Sequence, residues 1–205
     1  MSVLSSFTGR PFPAAADVVI IGAGIQGCAA AYYLAKRGLK PVLLDKSNVA
    51  GQQSGRAWGF VRIMEREEPE VPLMIEAMKL WSELEAELQA DLEWRQEGNL
   101  FLADSDAEIA HYEGWLKIAR KYGLDTKVIG PKEVTRLMPG LSNPGKGGLY
   151  GPTEGQAEPR KVAPAFAKRA AELGAGVFEG CGAIGLETAG GAVSGIVTEA
   201  GTIRS

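Results

Sequence analysis

The chain has 205 residues, enough to bury the core of one large domain or two small ones. Its 45 % hydrophobic and 23 % charged residues are those of an ordinary globular protein, and a net charge of −3 argues against a nucleic-acid partner. One histidine, His111, leaves no basis for a His-based zinc site or a serine triad, and the distant Cys28 and Cys181 match no metal spacing and read as reduced core thiols.

The leader, residues 1–17, has no apolar run of signal-peptide length, and no run in the chain is long enough to span a bilayer. A cytoplasmic location is the expectation. Val18 to Ile21 then reads as a buried parallel strand, a short unbroken apolar run. Three glycines follow it, Gly22-x-Gly24-x-x-Gly27, and after them "CAAAYYLAKRG" predicts a helix with Gly38 just past its end. Val42 to Leu44 predicts a second strand ending in Asp45.

Each glycine in this order has a physical task. Gly22 makes the tight turn, Gly24 lets a pyrophosphate approach the backbone, and Gly27 lets the helix pack on the strand. The phosphates would sit at the helix N-terminus, where free N–H groups and the dipole favour anions. Ile25 and Gln26 lie inside this turn and are counted with it. Asp45 follows Gly22 at about the 20-residue spacing of a carboxylate that bonds ribose hydroxyls, and Lys46 is counted beside it. An acid there repels a 2′-phosphate, which disfavours NADP and leaves NAD and FAD.

Residues 45–62, "DKSNVAGQQSGRAWGFVR", resemble the loop after the second strand of the FAD-dependent amino-acid and amine oxidoreductases. These are the relatives of D-amino-acid oxidase and of glycine and sarcosine oxidase. With "VPLM" (71–74) and "LEWRQEGNL" (92–100), the loop is most similar to subunits that oxidise D-hydroxyproline, opines, or glycine to cyanide. Residues 155–180 resemble the family's return to its FAD domain, so the likeness runs over nearly the whole chain from Asp17. It implies FAD as cofactor and oxidation of a C–N bond of an amino acid or secondary amine by hydride transfer to the flavin. Carried over by residue, Gly22, Gly24 and Gly27 match the pyrophosphate turn and Asp45 the ribose carboxylate. Gln53, Ser54, Gly55 and Arg56 match the loop at the pyrophosphate and ribityl chain, and Ala57, Trp58 and Gly59 would lie near the isoalloxazine. Ala183 falls where relatives read the adenine edge with main-chain groups.

Further along, "EREEPE" (65–70) reads as an acidic linker, and Pro72 opens a helix whose inner stripe is Leu73, Ala77, Leu80, Trp81, Leu84 and Leu88. Residues 99–103 read as a strand. Ser105 and Glu108 form a capping box for a helix through Ile109, Tyr112, Leu116 and Ala119, with His111 off its stripe and on the surface. Gly130-Pro131 opens a short helix closed by Pro139, and residues 147–152 suggest another strand. Trp81, Trp94 and Trp115 read as core. Arg160 to Leu173 predicts a helix with Val162, Phe166 and Leu173 inward, "GVFEG" a third parallel strand, and residues 184–205 a three-stranded meander.

The expected fold is therefore α/β: a Rossmann-like FAD-binding domain of parallel sheet and antiparallel meander, with an inserted α+β substrate domain. The segments are 1–64 and 154–205 for the FAD domain and 65–153 for the substrate domain. In the family the meander leads directly into another parallel strand, with further substrate strands and a flavin-contacting segment beyond. The sequence stops at Ser205, so the resemblance implies a piece truncated at its C-terminus, or a chain completed by a second subunit; the 205 residues alone are expected to be inactive. Partners are a small amino-acid or amine substrate and that missing half or second chain, with no nucleic acid. Two alternatives share the opening: an NAD-dependent dehydrogenase, disfavoured by the long loop and meander, and a non-catalytic FAD-binding subunit.

Overall fold

A computed structural model describes residues 5–6 and 9–205; the other leader positions, and the reading made of them above, lie outside the described residues. In chain order the first elements are β1 (Ser5–Ser6), β2 (Val18–Ile21), α1 (Ile25–Lys36), β3 (Pro41–Leu44), β4 (Phe60–Val61) and α2 (Val71–Leu88). Then come β5 (Asn99–Ala103), α3 (Asp106–Lys121), β6 (Lys127–Ile129), α4 (Pro131–Leu137), β7 (Gly147–Gly151) and β8 (Gly155–Gln156). The last are α5 (Pro159–Glu172), β9 (Gly176–Glu179), β10 (Ala183–Ala189), β11 (Ala192–Thr198) and β12 (Gly201–Arg204). The chain divides into two compact units, one of residues 1–58, 88–92 and 158–205, the other of residues 59–87 and 93–157.

In the first unit β2, β3 and β9 form a parallel sheet in the order β9-β3-β2, and β1 is added antiparallel outside β9. The alternation of β3 explains its layers. Val42 and Leu44 join Phe178 of β9, and Ile196 and Ile203 of the meander, in one buried cluster. Leu43 points the other way, and its Cδ1 lies 3.3 Å from where a Cβ on Gly27 of α1 would be. Helix α1 buries Cys28, Ala31, Tyr32 and Ala35, and its Tyr32 and Tyr33 rings meet Phe166 of α5 at 5.7 and 6.1 Å. Small residues on α1 and α5 let the two helices approach. Each large side chain fully buried here, such as Leu43, Leu44 or Phe178, contributes about 1.5–3 kcal/mol of apolar transfer. The meander turns at Gly190-Gly191, both at positive φ, as a two-residue hairpin loop requires.

The second unit holds the antiparallel sheet β5-β7-β6 and the short pair β4-β8. Helix α3 starts with both halves of a capping box, Ser105 Oγ accepting from Glu108 N–H and Glu108 accepting from Ser105 N–H. It buries Tyr112, Trp115 and Ala119 in a core with Met64, Ala103 and Leu149. Trp81 and Trp94 are half-buried and stacked, with ring centroids 5.2 Å apart.

Several readings change. The compact units change over at Trp58–Gly59 and Ala157–Glu158, beside the expected segment bounds at 64 and 153, and Leu88–Leu92 groups with the first. The pairing of Phe60 with Gln156 draws both strands into the second unit. On α2, Leu73 and Leu80 are exposed, while Val71, Ile75, Met78, Trp81, Leu84 and Leu88 form the line turned from solvent. Apolar residues surround most of that helix, so spacing alone does not choose the inner stripe. Leu173 is also exposed, because α5 ends at Glu172 and its packed face is alanine-rich: Ala163, Ala167, Ala170 and Ala171. Strands β4, β6 and β8 are too short to leave a periodic signal.

Candidate dinucleotide site

The glycine turn is built as its spacing demands. Gly22 sits at φ +105°, a conformation that L side chains rarely adopt. A Cβ on Gly27 would lie 1.9 Å from the Gly22 carbonyl oxygen, so only glycine lets α1 begin so close to β2. Gly24 is the N-cap, and no side chain caps the helix from that position. The first-turn N–H groups of α1, including those of Gln26 and Gly27, have no acceptor within the helix.

A serine from the following loop covers one of these groups. Gln53 to Gly55 form a single 3-10 turn, and Ser54 Oγ accepts the Ile25 N–H at 2.9 Å. A Cβ on Gly24 would stand 3.0 Å from that same oxygen. The open space at Gly24 therefore receives the Ser54 hydroxyl. The hydroxyl accepts from Ile25 and keeps its own proton to donate. Gly55 is required in turn, because a Cβ there would meet the Ala50 carbonyl oxygen at 2.2 Å.

Asp45 stands at the C-terminal end of β3, beside the turn. Its Oδ2 accepts the Ala23 N–H at 2.7 Å, and its Oδ1 accepts the Ser47 N–H at 2.7 Å and the Ser47 hydroxyl at 3.0 Å. The carboxylate thus clips the glycine turn to the start of the loop, and each oxygen keeps lone-pair capacity for another donor. Cys28, directly under the turn, points its thiol at the Ala23 carbonyl at 3.4 Å. Burial, with help from the negative charges of Asp45 and Glu179, pushes this thiol up to about 12, so it stays protonated at neutral pH.

The remaining sequence-predicted residues are arranged less tightly. Lys46 is exposed, and its Cβ lies 3.4 Å from where a Cβ on Gly182 would be. The strand Ala183 opens is thereby led past Asp45, with Cys181 N–H on the Asp45 carbonyl at 2.7 Å and Gly180 N–H on that of Ser47 at 3.1 Å. Ala183 itself is half-buried against the core cluster. Arg56 and Ala57 are exposed, and Trp58 is 85 % exposed. Gly59, at φ +83°, belongs to the second unit, where its carbonyl accepts Ala157 N–H. Gly22 to Gly27, Asp45 and Ser54 therefore form one hydrogen-bonded group; Arg56, Ala57, Trp58 and Gly59 are not gathered into it.

Two charged groups escaped the sequence reading. Glu179, at the end of β9, accepts the Val49 N–H at 2.7 Å. Its signal is its position after the third parallel strand, at the same sheet end as Asp45. In the second unit Glu154 is 2 % exposed, and one oxygen accepts the N–H groups of Ile63 and Met64 at 2.8 and 2.6 Å. Asn99 beside it donates to the carbonyls of Val61 and Gly155 at 3.1 and 3.0 Å. Burial raises the Glu154 carboxyl above its ordinary range, only partly offset by these bonds and by the charge of Arg62.

A parallel sheet with a glycine turn, an acid at the end of the next strand and an antiparallel meander defines a dinucleotide-binding α/β fold. The chain belongs to the FAD dependent oxidoreductase family, DAO, which it matches over residues 17–205. It is 30 % identical to human mitochondrial sarcosine dehydrogenase over 213 residues, covering 100 % of this chain and 23 % of that protein. It is 32 % identical to sarcosine oxidase subunit beta of Arthrobacter sp over 197 residues, covering 92 % and 49 %. Among solved structures, L-amino acid deaminase from Proteus myxofaciens superposes with a TM-score of 0.86 at 33 % identity, covering 95 % of this chain and 45 % of that one. The chain thus spans about half the length of the bacterial relatives, and less of sarcosine dehydrogenase. Among the described residues, no helix is long and apolar enough to cross a membrane.

Proposed function

We propose that this chain supplies the dinucleotide-holding part of an FAD-dependent enzyme that oxidises the C–N bond of an amino acid or secondary amine. The observation that carries it is the β2–glycine turn–α1–β3–Asp45 unit in a chain of this family. The residues suit the ADP half of FAD. First-turn N–H groups of α1 and the Ser54 hydroxyl face a pyrophosphate, Asp45 offers lone pairs to the ribose, and the start of β10 at Ala183 offers main-chain groups to the adenine edge. Gln53, Gly55 and Arg56 would serve the ribityl chain, and Ala57, Trp58 and Gly59 the ring, as the loop's resemblance implies. Bound FAD supplies the two-electron acceptor for the oxidation. The protein's own part here is to hold, orient and neutralise: Arg56 adds a cation near two phosphates, and Asp45 and Ser54 keep the turn and loop in register.

In this reading the first compact unit is the FAD-binding domain, and the second supplies the substrate domain. The substrate class follows the names of relatives and solved neighbours, sarcosine, glycine, proline or another amino acid, with hydroxyproline added by the resemblance of the loop sequence. Sarcosine oxidase subunit beta is by name one chain of an assembly, and this protein is assigned a partner chain or further segment in the same way. Two free, buried thiols suit a reducing compartment, and we assign the protein to the cytoplasm.

The test is flavin content and turnover of the full-length protein. It should purify yellow, release FAD on denaturation, and reduce a dye acceptor with at least one of sarcosine, glycine, proline, D-hydroxyproline or a D-amino acid. Gly24→Val should abolish flavin retention. Equal retention in wild type and variant, or binding of NAD in place of FAD, would overturn the assignment.

A further inference from the structure

We propose that Glu179 is a positioning residue that seats the loop between Asp45 and Trp58, and through it the flavin contacts; the proposal rests on the FAD reading above. Glu179 closes β9, which runs parallel to β3 with Phe178 opposite Leu44. The main chain of Asp45 donates to the Phe178 carbonyl at 3.0 Å, so the two acidic residues stand side by side at the C-terminal ends of neighbouring strands.

The two acids hold different things. Asp45 holds the glycine turn and Ser47, its near neighbours. Glu179 reaches across 130 positions of sequence to the Val49 N–H at 2.7 Å. Val49 precedes Ala50, which sits at φ +57° and donates its own N–H to Ala23 at 2.9 Å. A non-glycine residue in that conformation persists only where its surroundings hold it. From Ala50 the loop passes over Gly24 and reaches Ser54, which meets Ile25. Glu179, Ala23 and Ile25 therefore fix the loop at successive points, and of these only Glu179 acts with its side chain. It can be removed without touching the turn, the ribose acid or the serine.

Loss of the carboxylate leaves Val49 N–H without its acceptor, and the loop is then held to the turn only through Ala50 on Ala23 and Ser54 on Ile25. With one of its three attachments gone, the loop holds Ser54 less firmly against α1. A hydrogen bond to a charged acceptor, lost in this way, corresponds to about a tenfold loss in affinity for a ligand that needs the loop closed. Glu179→Gln keeps a neutral acceptor at the same reach and should restore most of it.

The experiment titrates FAD into the full-length apoprotein and into its Glu179→Ala and Glu179→Gln variants, recording flavin fluorescence, the visible bands of the bound flavin and the apoprotein Tm. Expected is a Kd about tenfold higher with displaced flavin bands for the alanine variant, and return to within about threefold of wild type for the glutamine variant. A residue that only supports the sheet would lower the Tm and leave Kd and bands unchanged, and that result overturns the proposal, as does a glutamine variant no better than alanine. Amide exchange at Val49 in the wild-type protein needs no variant: protection supports the contact, and exchange at the unprotected rate refutes it. Failure of the wild type to bind FAD would strike the functional reading instead, and Val49 exchange would still judge the contact.

Discussion

Asp45→Ala should destabilise the protein even before any ligand is added. The substitution deletes the acceptor for Ala23 N–H and for Ser47 N–H, both at 2.7 Å, together with the partner of the Ser47 hydroxyl at 3.0 Å. A hydrogen bond to a charged group is worth about 1.5–3 kcal/mol. Asp45 is only half-buried, so water replaces part of each bond, and a net loss of about 2–3 kcal/mol is the expected sum. At this chain length that is a fall of roughly 4–12 °C in Tm. Asp45→Asn keeps one acceptor oxygen and turns an NH2 toward the other donor, so about half the loss should remain. FAD affinity should fall with both variants, more for alanine, by about 1.5–3 kcal/mol. Differential scanning calorimetry of the apoproteins and flavin titration of the same samples measure the two effects separately. An Asp45→Ala apoprotein melting within 1 °C of wild type would refute the clip. Lost FAD affinity alone would then assign the acid purely to the ribose.

Gly27→Ala should yield little soluble protein, because its Cβ meets a backbone oxygen at 1.9 Å and no side chain can yield; a normal Tm would contradict the packing. Gly114→Ala, in the exposed middle of α3 with nothing within 4 Å of the new Cβ, should instead stabilise by about 0.5–1 kcal/mol, read as a Tm rise. Burial holds Glu154 protonated at pH values where the unfolded chain has already ionised it, so stability should decline as pH rises from the ordinary carboxylate range through the raised one. Glu154→Gln should flatten that limb of a Tm–pH profile; an unchanged slope would refute the assignment. Cys28 and Cys181, both buried and both raised mainly by burial, should resist iodoacetamide at pH 8 until the protein is unfolded.

The dinucleotide unit was legible because it is contiguous. Strand, glycines, helix, strand and acid each announce themselves by local pattern; Gly22 is required by its positive φ and Gly27 by the carbonyl five residues before it. The holders of the loop were not legible. Ser54 meets Ile25 and Glu179 meets Val49 only because the strands lie in one order, and no spacing encodes that. The misplaced stripe of α2 has another origin: Leu73 and Leu80 fit the helical period as well as Ile75 and Met78 do. Glu154 looked like any acid in a turn, since burial of a polar side chain is a property of the packed sheet.

The outer edge of β2 has a polarity as well as an opening. Within the sheet β2 is the terminal strand, and Ile21 at its end is 57 % exposed. Just upstream, Asp17 N–H turns inward to Lys40, while Ala16 N–H goes to Arg204 and Arg204 N–H to Ala14. Successive amides of an extended chain point to opposite sides, so Arg204 lies on the side away from β3. Its bridge with Ala15 is parallel. The outer side of the chain is therefore engaged just before β2 begins: the end of the meander is stitched to residues 14–16 by two backbone bonds, which ties β12 to the entry of the parallel sheet.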